Sequence, residues 1–220
     1  QPPTGSKDPF ALRRAAIGVL RLNEHPLLQF DLAQWVNQAF DGQPVEATGD
    51  ARATVMQFIN DRERVRLMET GYPHDLVVAV QATNGLSTAI TENRVKALEM
   101  FSGKPEFQSV VATNKRVVNL LKESELKTTE IQASLFEHPS ESALHESVIN
   151  ISSQVADAVS RETFSEAITA LLAMTPATDD FFENVMVNAD NQAVRANRLQ
   201  LCQAVRDVYR LVADFSLVQQ

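Results

Sequence analysis

Apolar residues recur at spacings of three and four along most of the chain, which is the pattern of amphipathic α-helices. No segment of useful length alternates between apolar and polar positions, as a half-buried strand would. In the first half, helices are predicted over "KDPFALRRAAIGVLRLNEHP", "LLQFDLAQWVNQAF", residues 51–70, "PHDLVVAVQAT" and "LSTAITENRVKALEMF". In the second half, they are predicted over "PEFQSVVATNKRVVNLLKES", residues 144–159, "FSEAITALLAM", "ATDDFFENVMV" and residues 190–215. The pattern predicts an all-α protein, in which a smaller helical region precedes a bundle of about five helices, with a boundary near residues 85–105.

Several of these helices carry recognisable start signals. Asp8, followed by a proline, is predicted to cap the first helix, and Thr175, also followed by a proline, to cap a later one. Thr163 and Glu166 have the spacing of a capping box. The Ser- and Glu-rich start of "SELKTTEIQASLFEHPSES" predicts a mobile loop. The next helix has one apolar stripe, made by Leu144, Val148, Ile151, Val155 and Val159.

Composition adds a few constraints. A hydrophobic content of 44% with 22% charged residues is ordinary for a globular protein. No stretch approaches the apolar length that crosses a membrane, so no membrane partner is expected. Cys202 is the only cysteine, which excludes an internal disulfide and favours a reducing, cytoplasmic location. The chain opens with "QPPTGSKDPF" and no methionine, so we expect an excised piece of a longer protein.

The net charge limits how this protein can contact nucleic acid. The formal charge is −8, with −2 on residues 1–103 and −6 on residues 104–220. A protein that binds nucleic acid through its overall charge is basic, so the sign of the charge excludes that mode of binding. Any nucleic-acid site therefore has to be a local basic patch on an acidic body.

Candidate catalytic groups are few. His74 and Asp75 have the order of a metal-binding pair, but the other histidines lack a comparable helical context, and Asp75 after Pro73 is also a natural helix-start residue. Cys202 has no histidine partner in sequence and is predicted to be a small core residue. No glycine-rich phosphate loop, paired-histidine motif or serine-nucleophile motif is present. We therefore expect no catalytic site, metal or cofactor in this chain itself.

The segment "VMVNADNQAVRANRL" places asparagines and arginines in what otherwise reads as an apolar helix. At about 100° per residue, a core stripe is formed by Val194, Leu201, Val205, Val208 and Val212. One contiguous flank beside this stripe is formed by Arg195, Arg198, Arg206 and Arg210, interrupted only by Leu199 and Cys202. Asn197 falls on the buried side of the same helix.

The helix "SVVATNKRVVNLLK" repeats this arrangement. Its core stripe is formed by Val110, Val117, Val118 and Leu121, and Asn114 falls within it. The opposite side carries Lys115, Arg116, Asn119 and Lys122. One explanation is that the asparagines bond a neighbouring helix and the basic residues solvate a surface. The other is a face of planar donors suited to phosphates and base edges, and composition does not separate the two.

Four stretches of the chain also occur, in the same order, in a known family. They are "KDPFALRRAAIGVLRL", "RVKALEMF", "TNKRVVNLLK" and "FFENVMVNADNQAVRANRLQLCQAVRDVYRLVADFSLVQ". With them the chain resembles the C-terminal region of the β subunit of bacterial glycyl-tRNA synthetase, the two-subunit type. The resemblance spans nearly the whole chain, and its last stretch is long and specific. It implies a C-terminal fragment of that subunit.

The resemblance implies a domain organisation. Residues 1–95 would comprise the end of an HD-like region and the helices that follow it. Residues 96–220 would be a helical anticodon-binding domain, of the type named for an Asp-Ala-Leu-Arg motif. The corresponding tetrad reads "QAVR" from Gln192 to Arg195, so the helix is kept while the family's acid is absent.

The resemblance also implies a function. In this family, ATP-dependent activation of glycine belongs to the α subunit, and the β subunit mainly binds tRNA. ATP and Mg would be used by the complete enzyme, and the expected partners are glycine tRNA and the α subunit. One alternative is a non-catalytic helical scaffold whose basic flank mediates subunit assembly. Another, an anticodon domain of the arginyl-tRNA synthetase type, shares the fold but fits "KDPFALRR" poorly.

The residues expected to contact tRNA combine planar donors with positive charge. Asn188 is expected near the start of the last helix, where free backbone N–H groups favour anions. Asn114 and Asn197 are instead expected to hold the two helices together from inside. The expected tRNA-binding residues are Lys115, Arg116, Asn119, Asn188, Arg195, Arg198, Arg206 and Arg210.

Overall fold

The computed structural model describes residues 8, 10–25, 31–44, 50–83, 88–122 and 130–219. Within these ranges the regular elements are α-helices and short 3₁₀ turns, and none is a strand, which confirms the predicted all-α class. The chain divides into two compact units, Gln1–Lys96 and Ala97–Gln220. No helix of the described ranges is long and apolar enough to span a bilayer.

Unit 1 is organised around one long helix. Its helices are α1 (Leu12–Asn23), α2 (Leu32–Asp41), α3 (Ala51–Glu69), α4 (His74–Gln81) and α5 (Thr88–Ser102), the last of which continues into unit 2. α3 packs against α1, α2 and α4. Its Ile59 joins Ala16, Leu20 and Leu32 in a small apolar core. This packing stabilises helices that are too short to persist alone in water.

The start of α1 differs from the prediction. The residue that precedes the helix is Ala11, in the left-handed conformation with φ 56°, and not Asp8. The Oδ2 atom of Asp8 nevertheless accepts hydrogen bonds from the N–H groups of Arg13 and Arg14, at 3.2 and 3.4 Å. N–H groups of a first turn lack an intrahelical acceptor, so Asp8 still satisfies them from a position further upstream. The proline at position 9 lies outside the described residues.

Unit 2 is a bundle built on α10. Its elements are α6 (Pro105–Lys122), η1 (Ala133–Leu135), α7 (Pro139–Ser160), α8 (Phe164–Ala173), α9 (Thr175–Asn184), α10 (Gln192–Arg210) and η2 (Phe215–Leu217), where η marks a 3₁₀ turn. α10 packs against α6 and α7, and α7 also packs against α8 and α9. The ring of Phe215 meets those of Phe107 and Tyr209 edge to face, with centroids 5.7 and 5.9 Å apart. These aromatic contacts fix η2 against α6 and the end of α10.

The helix starts in unit 2 follow the predicted signals only in part. α9 begins at Thr175, one residue earlier than a Thr175 cap would imply, with a proline in its first turn. The hydroxyl of Thr163 bonds a backbone carbonyl and Glu166 instead of a backbone N–H group, so the predicted capping box does not form. A complete capping box lies at the start of α7, where His138 and Glu141 fill the two roles.

The apolar stripes are largely as predicted. The buried stripe of α10 comprises Val194, Leu201, Val205 and Val208, with Val212 just beyond the helix end. On α7, Ala158 replaces Val159 as the last buried residue, because a spacing of four drifts from a period of 3.6. Val118 of α6 is half-buried. The loop predicted after α6 lies outside the described residues up to residue 129, and its later part contains η1.

Candidate functional site

The middle of α10 is buried on all sides. Six consecutive residues, 197–202, are buried, although successive side chains point in different directions around a helix. α6, α7 and η1 pack against α10. The predicted flank of arginines is therefore not continuous. Arg198 lies inside the unit, with Arg195 before it and Arg206 and Arg210 after it.

Arg198 is a buried structural residue. Its Nε donates to Oε1 of Glu141 at 2.9 Å, and its Nη2 donates to Oε2 of Glu137 at 2.9 Å. Its Nη1 donates to the carbonyl oxygen of Met186 at 3.1 Å. Only 8% of the side chain is exposed. Because all three guanidinium nitrogens bind protein acceptors, the expectation that Arg198 contacts tRNA is corrected.

Glu141, the partner of Arg198, lies in the first turn of α7. It is fully buried, and its Oε2 accepts hydrogen bonds from the N–H groups of Glu137 and His138 at 2.8 and 2.9 Å. Burial alone would raise the pKa of Glu141, but the hydrogen bonds from Arg198 and from the two N–H groups outweigh it, and the pKa lies below its ordinary value. The charged pair thereby ties the start of α7 to the middle of α10.

The other three arginines of α10 are at the surface. Arg195 is exposed and has no hydrogen bond or ion pair with any residue that the structure describes. Arg206 pairs with Asp207 at 3.2 Å, and Arg210 pairs with Asp214 at 3.1 Å. Ion pairs at the surface contribute little free energy, so a phosphate can compete with these carboxylates. Arg195 is the most available cation of the helix.

The side chain of Asn191 caps the first turn of α10. Asn191 is the N-cap, and its Oδ1 accepts hydrogen bonds from the N–H groups of Ala193 and Val194 at 2.9 and 3.4 Å. Asn188 is exposed but lies upstream of this cap, outside the helix. Asn188 therefore lies before the first turn of α10, and two N–H groups of that turn bond Asn191.

Asn114 and Asn197 are buried, as predicted, but neither bonds the other's helix. Asn197 accepts from the N–H group of Gln132 at 2.8 Å and donates to its carbonyl oxygen at 3.0 Å. The side-chain oxygen of Asn114, with the amide oriented toward them, accepts from the N–H groups of Phe215 and Ser216 at 3.0 and 2.9 Å. Asn114 thus holds η2 against α6, and Asn197 holds the segment before η1 against α10.

The basic side of α6 borders a cleft against α9. The guanidinium of the exposed Arg116 lies 4.4 Å from the ring centroid of Phe182. On the same helix Lys115 is half-buried and Asn119 is exposed. The cleft has a volume of about 290 Å³, and its lining includes Ser109, Thr113 and Arg116 from α6 and Asp179, Phe182 and Glu183 from α9. Arg116 therefore lies beside an aromatic ring and two carboxylates, none of which is among the expected tRNA-binding residues.

The sequence does contain a signal for this cleft. Phe181 and Phe182 are adjacent, so on a helix their side chains point about 100° apart and do not share one core position. Phe181 is fully buried, whereas Phe182 is half-buried and carries Arg116 over its ring. When two phenylalanines are adjacent on an amphipathic helix, the second ring thus indicates an aromatic side chain outside the core, available for a contact at the surface.

The side chains considered for catalysis lie in the core, in the case of Cys202, or at the start of a helix, in the case of His74 and Asp75. Cys202 is fully buried, and burial raises the pKa of its thiol to about 12, which keeps the thiolate scarce at neutral pH. Asp75 lies in the first turn of α4, directly after the cap residue Pro73 and His74. In the part of the chain that the structure describes, no three His, Cys, Asp or Glu side chains are grouped to hold a metal.

Comparison with known proteins finds two family models and a set of relatives that match this chain. The family model of the DALR anticodon binding domain matches residues 110–214, and that of the glycyl-tRNA synthetase beta subunit matches residues 1–82. Relatives named glycine–tRNA ligase beta subunit include that of Pseudomonas aeruginosa (strain LESB58), which is 40% identical over 219 residues. Another, from Edwardsiella ictaluri (strain 93-146), is 37% identical over 226 residues.

The matches cover almost all of this chain but only part of each relative. They span 98% of the chain for the Pseudomonas protein and 100% for the Edwardsiella protein, and 32% of either relative. The chain therefore spans about a third of the length of these curated relatives. The two family models and the relatives agree along the chain, so almost its whole length is similar to part of a glycyl-tRNA synthetase beta subunit.

Proposed function

We propose that this chain is the tRNA-binding, anticodon-recognising part of the β subunit of a glycine–tRNA ligase. The observation that carries the proposal is the match of residues 110–214 to an anticodon-binding domain. The same residues include the exposed Arg116 and also Arg195, which is unpaired among the described residues. The complete enzyme would be an aminoacyl-tRNA synthetase whose α subunit charges glycine tRNA with the use of ATP and Mg.

The two regions of the chain have different parts in this proposal. Residues 96–220 are the anticodon-binding domain, and residues 1–95 end an HD-like region and lead into that domain. The partners are glycine tRNA and the α subunit, and the location is the cytoplasm, where bacterial tRNA is charged. In this arrangement the chain forms and breaks none of the reacting bonds.

The proposed contact residues are the expected set without Arg198. Single-stranded loops are recognised by splayed bases that stack on aromatic or guanidinium planes, with phosphates held by basic side chains. Arg116, which lies over the Phe182 ring, offers such a plane, and Arg195 offers a guanidinium that is unpaired among the described residues. The proposed tRNA-facing residues are Lys115, Arg116, Asn119, Asn188, Arg195, Arg206 and Arg210.

Anticodon binding would support charging by positioning the tRNA. The acceptor end that reacts lies far from the anticodon, so contacts made here act by holding the tRNA where that end meets the α subunit. A tRNA with another anticodon would lose these contacts and be oriented less well, which gives selection between tRNAs.

The acidic body limits the strength of this binding. Residues 104–220 carry a formal charge of −6, so only a local patch neutralises phosphates. The logarithm of the binding constant falls with the logarithm of salt concentration in proportion to the phosphates neutralised. We expect a salt slope that corresponds to about three or four phosphates.

The proposal is tested by fluorescence-anisotropy titration of this chain with glycine tRNA and with a tRNA of another anticodon. Glycine tRNA should bind more tightly, and Arg116→Ala and Arg195→Ala should each weaken it several-fold without lowering the melting temperature. Arg161→Ala is the matched control, because Arg161 is an exposed arginine paired with Asp157 and Glu166. It should leave binding unchanged. Equal binding of both tRNAs, or none, would contradict the proposal.

The alternative is a scaffold for subunit assembly, in which the basic flank of α10 forms a continuous strip that binds a partner subunit. The buried middle of the helix interrupts that strip at Arg198, which removes its main support. A scaffold would lose affinity for the α subunit in Arg195→Ala and would show no preference among tRNAs. The same variant therefore separates the two functions.

A further inference from the structure

The cleft between α6 and α9 brings three kinds of chemical group into a small volume. Arg116 covers one face of the Phe182 ring. Asp179 and Glu183, one helical turn apart on α9, contribute two carboxylates. The hydroxyl of Ser109 bonds both oxygens of Asp179, at 3.1 and 3.0 Å, and so orients that carboxylate. At about 290 Å³ the cleft has room for one nucleobase.

Carboxylates are unfavourable on a surface that approaches phosphates, because like charges repel. Their use in base recognition is to accept hydrogen bonds from amino groups. Cytosine presents its exocyclic N4 amino group, for which Asp and Glu are the matching acceptors. Uracil has a carbonyl oxygen at the same position, which a carboxylate repels. A cleft with two carboxylates and a planar cation therefore favours cytosine over uracil.

We propose that this cleft reads a cytosine of the anticodon: the base stacks on the guanidinium plane of Arg116, and Asp179 and Glu183 accept hydrogen bonds from its N4 amino group. This inference rests on the proposed function. A chain that binds glycine tRNA meets an anticodon with adjacent cytosines, because these cytosines pair with the glycine codons, GGN. The acids that weaken phosphate binding thus supply discrimination, as repulsive elements do in specific interfaces.

The test uses RNA hairpins with the anticodon arm of glycine tRNA, in which each anticodon cytosine is replaced in turn by uracil. The wild-type chain should prefer cytosine at one position by about tenfold. The double variant Asp179→Asn/Glu183→Gln should bring this ratio close to unity, because an amide donates to the uracil carbonyl as well as it accepts from the cytosine amine. Circular dichroism of each variant checks that the fold is kept.

Two further variants separate charge from base recognition. Glu146→Gln removes a charge from an exposed position on α7, outside the cleft, and should leave the cytosine preference unchanged. Arg116→Lys keeps the charge but loses the stacking plane, so it should weaken the cytosine and uracil hairpins by the same factor.

Three other results would contradict either this inference or the proposed function. If the double variant shifts both hairpins equally and keeps the wild-type ratio, the carboxylates do not read the base, and this inference fails while tRNA binding stands. If the wild-type chain binds glycine tRNA but makes no distinction between cytosine and uracil, the inference fails in the same way. If it binds neither glycine tRNA nor the hairpins, the proposed function fails and takes this inference with it.

Discussion

Unit 1 and unit 2 each bury a glutamate, Glu63 on α3 and Glu141 on α7, and the two carboxyl groups have opposite surroundings. The Oε2 atom of Glu63 accepts one hydrogen bond, from Nε2 of Gln81 at 3.2 Å, and its Oε1 has no donor among the described residues. Both oxygens of Glu141 accept hydrogen bonds, from the guanidinium of Arg198 and from the N–H groups at the start of α7.

The difference appears in the direction in which each pKa is shifted. Burial raises the pKa of Glu63, and the hydrogen bond from Gln81 and the charge of Arg66 offset this only in part. Arg66 is already paired with Glu24 at 3.0 Å and with Glu92 at 3.2 Å. For Glu141 the donors outweigh burial and lower the pKa. Burial alone therefore does not set the direction of a carboxyl group's pKa shift, because the donors that reach the group can reverse it.

Two single residues allow the stability of each unit to be followed separately. Trp35 on α2 is the only tryptophan, so its fluorescence reports on unit 1. Cys202 is the only cysteine and is fully buried in unit 2, so the rate at which a thiol reagent labels it reports on the opening of that unit. Separate probes are needed because a chain of two units need not unfold in a single step.

The largest effect is expected from Arg198→Met, which keeps much of the side-chain volume but leaves the buried carboxylate of Glu141 without its cationic partner, with only two backbone N–H donors. We expect unit 2 to lose about 3–5 kcal/mol of unfolding free energy. Cys202 labelling in urea should accelerate accordingly, while the Trp35 transition stays in place. Arg161→Met, at an exposed ion pair, should change little. A loss below about 1 kcal/mol in Arg198→Met would mean that the pair does not hold the bundle.

A smaller loss of unfolding free energy is expected from Asn197→Leu. This variant tests how much the hydrogen bonds of a buried neutral side chain stabilise unit 2, compared with those of the charged pair. Leucine would leave the N–H and carbonyl groups of Gln132 without their present partner. We expect unit 2 to lose about 1–3 kcal/mol, read again by Cys202 labelling. Asn119→Leu, at an exposed position of α6, serves as control. Equal stability of the two variants would show that water replaces Asn197 without cost.

Asn197 is buried as predicted, whereas Arg198 is buried instead of lying on an exposed flank, and both outcomes have the same physical origin. Helical periodicity locates the side of α10 that faces the core, and Asn114 and Asn197 fall there because their angular positions match those of the buried valines. Periodicity assumes that a helix has one buried side, but the middle of α10 is enclosed by α6, α7 and η1. The partner of Arg198 is 57 residues away in sequence, and no local pattern pairs them.

Capping shows a similar limit. The capping box of α7 uses His138, a residue that is not among the usual cap residues, so composition does not indicate it. Thr163 and Glu166 have the right spacing, but the Thr163 hydroxyl finds a carbonyl of the preceding turn instead. The cleft of Arg116 depends on how α6 and α9 pack, and only the Phe-Phe pair indicates it in sequence. Fold class follows from periodicity, whereas the site depends on contacts between distant helices.

In unit 1, Glu63→Gln should be nearly neutral or should stabilise by about 1 kcal/mol at neutral pH. An amide avoids the cost of burying a charge with too few donors, and it retains polar atoms that Gln81 can bond. The Trp35 transition in urea measures the change. Glu141→Gln is the matched substitution in unit 2 and should destabilise, as read by Cys202 labelling. If both substitutions cost the same, the contrast between the two glutamates does not hold.

The last prediction uses pH to move the two units in opposite directions. The folded-state pKa of Glu141 lies below the ordinary 4.5, so its stabilising contribution is present above that pH and is lost as the pH falls through the lower folded-state value. The folded-state pKa of Glu63 lies above 4.5, so its contribution is complete below that pH and is lost as the pH rises through the higher value. Acidification from about pH 7 to about pH 3.5 should therefore strengthen unit 1 relative to unit 2.

Hydrogen exchange followed by mass spectrometry, corrected for the pH dependence of intrinsic exchange, can compare peptides of α3 with peptides of α7. Glu63→Gln should remove the pH trend in the α3 peptides alone, and Glu141→Gln the trend in the α7 peptides alone. Parallel loss of protection in both units of the wild-type chain on acidification would show that other carboxylates dominate. The two buried glutamates would then not account for the difference between the units.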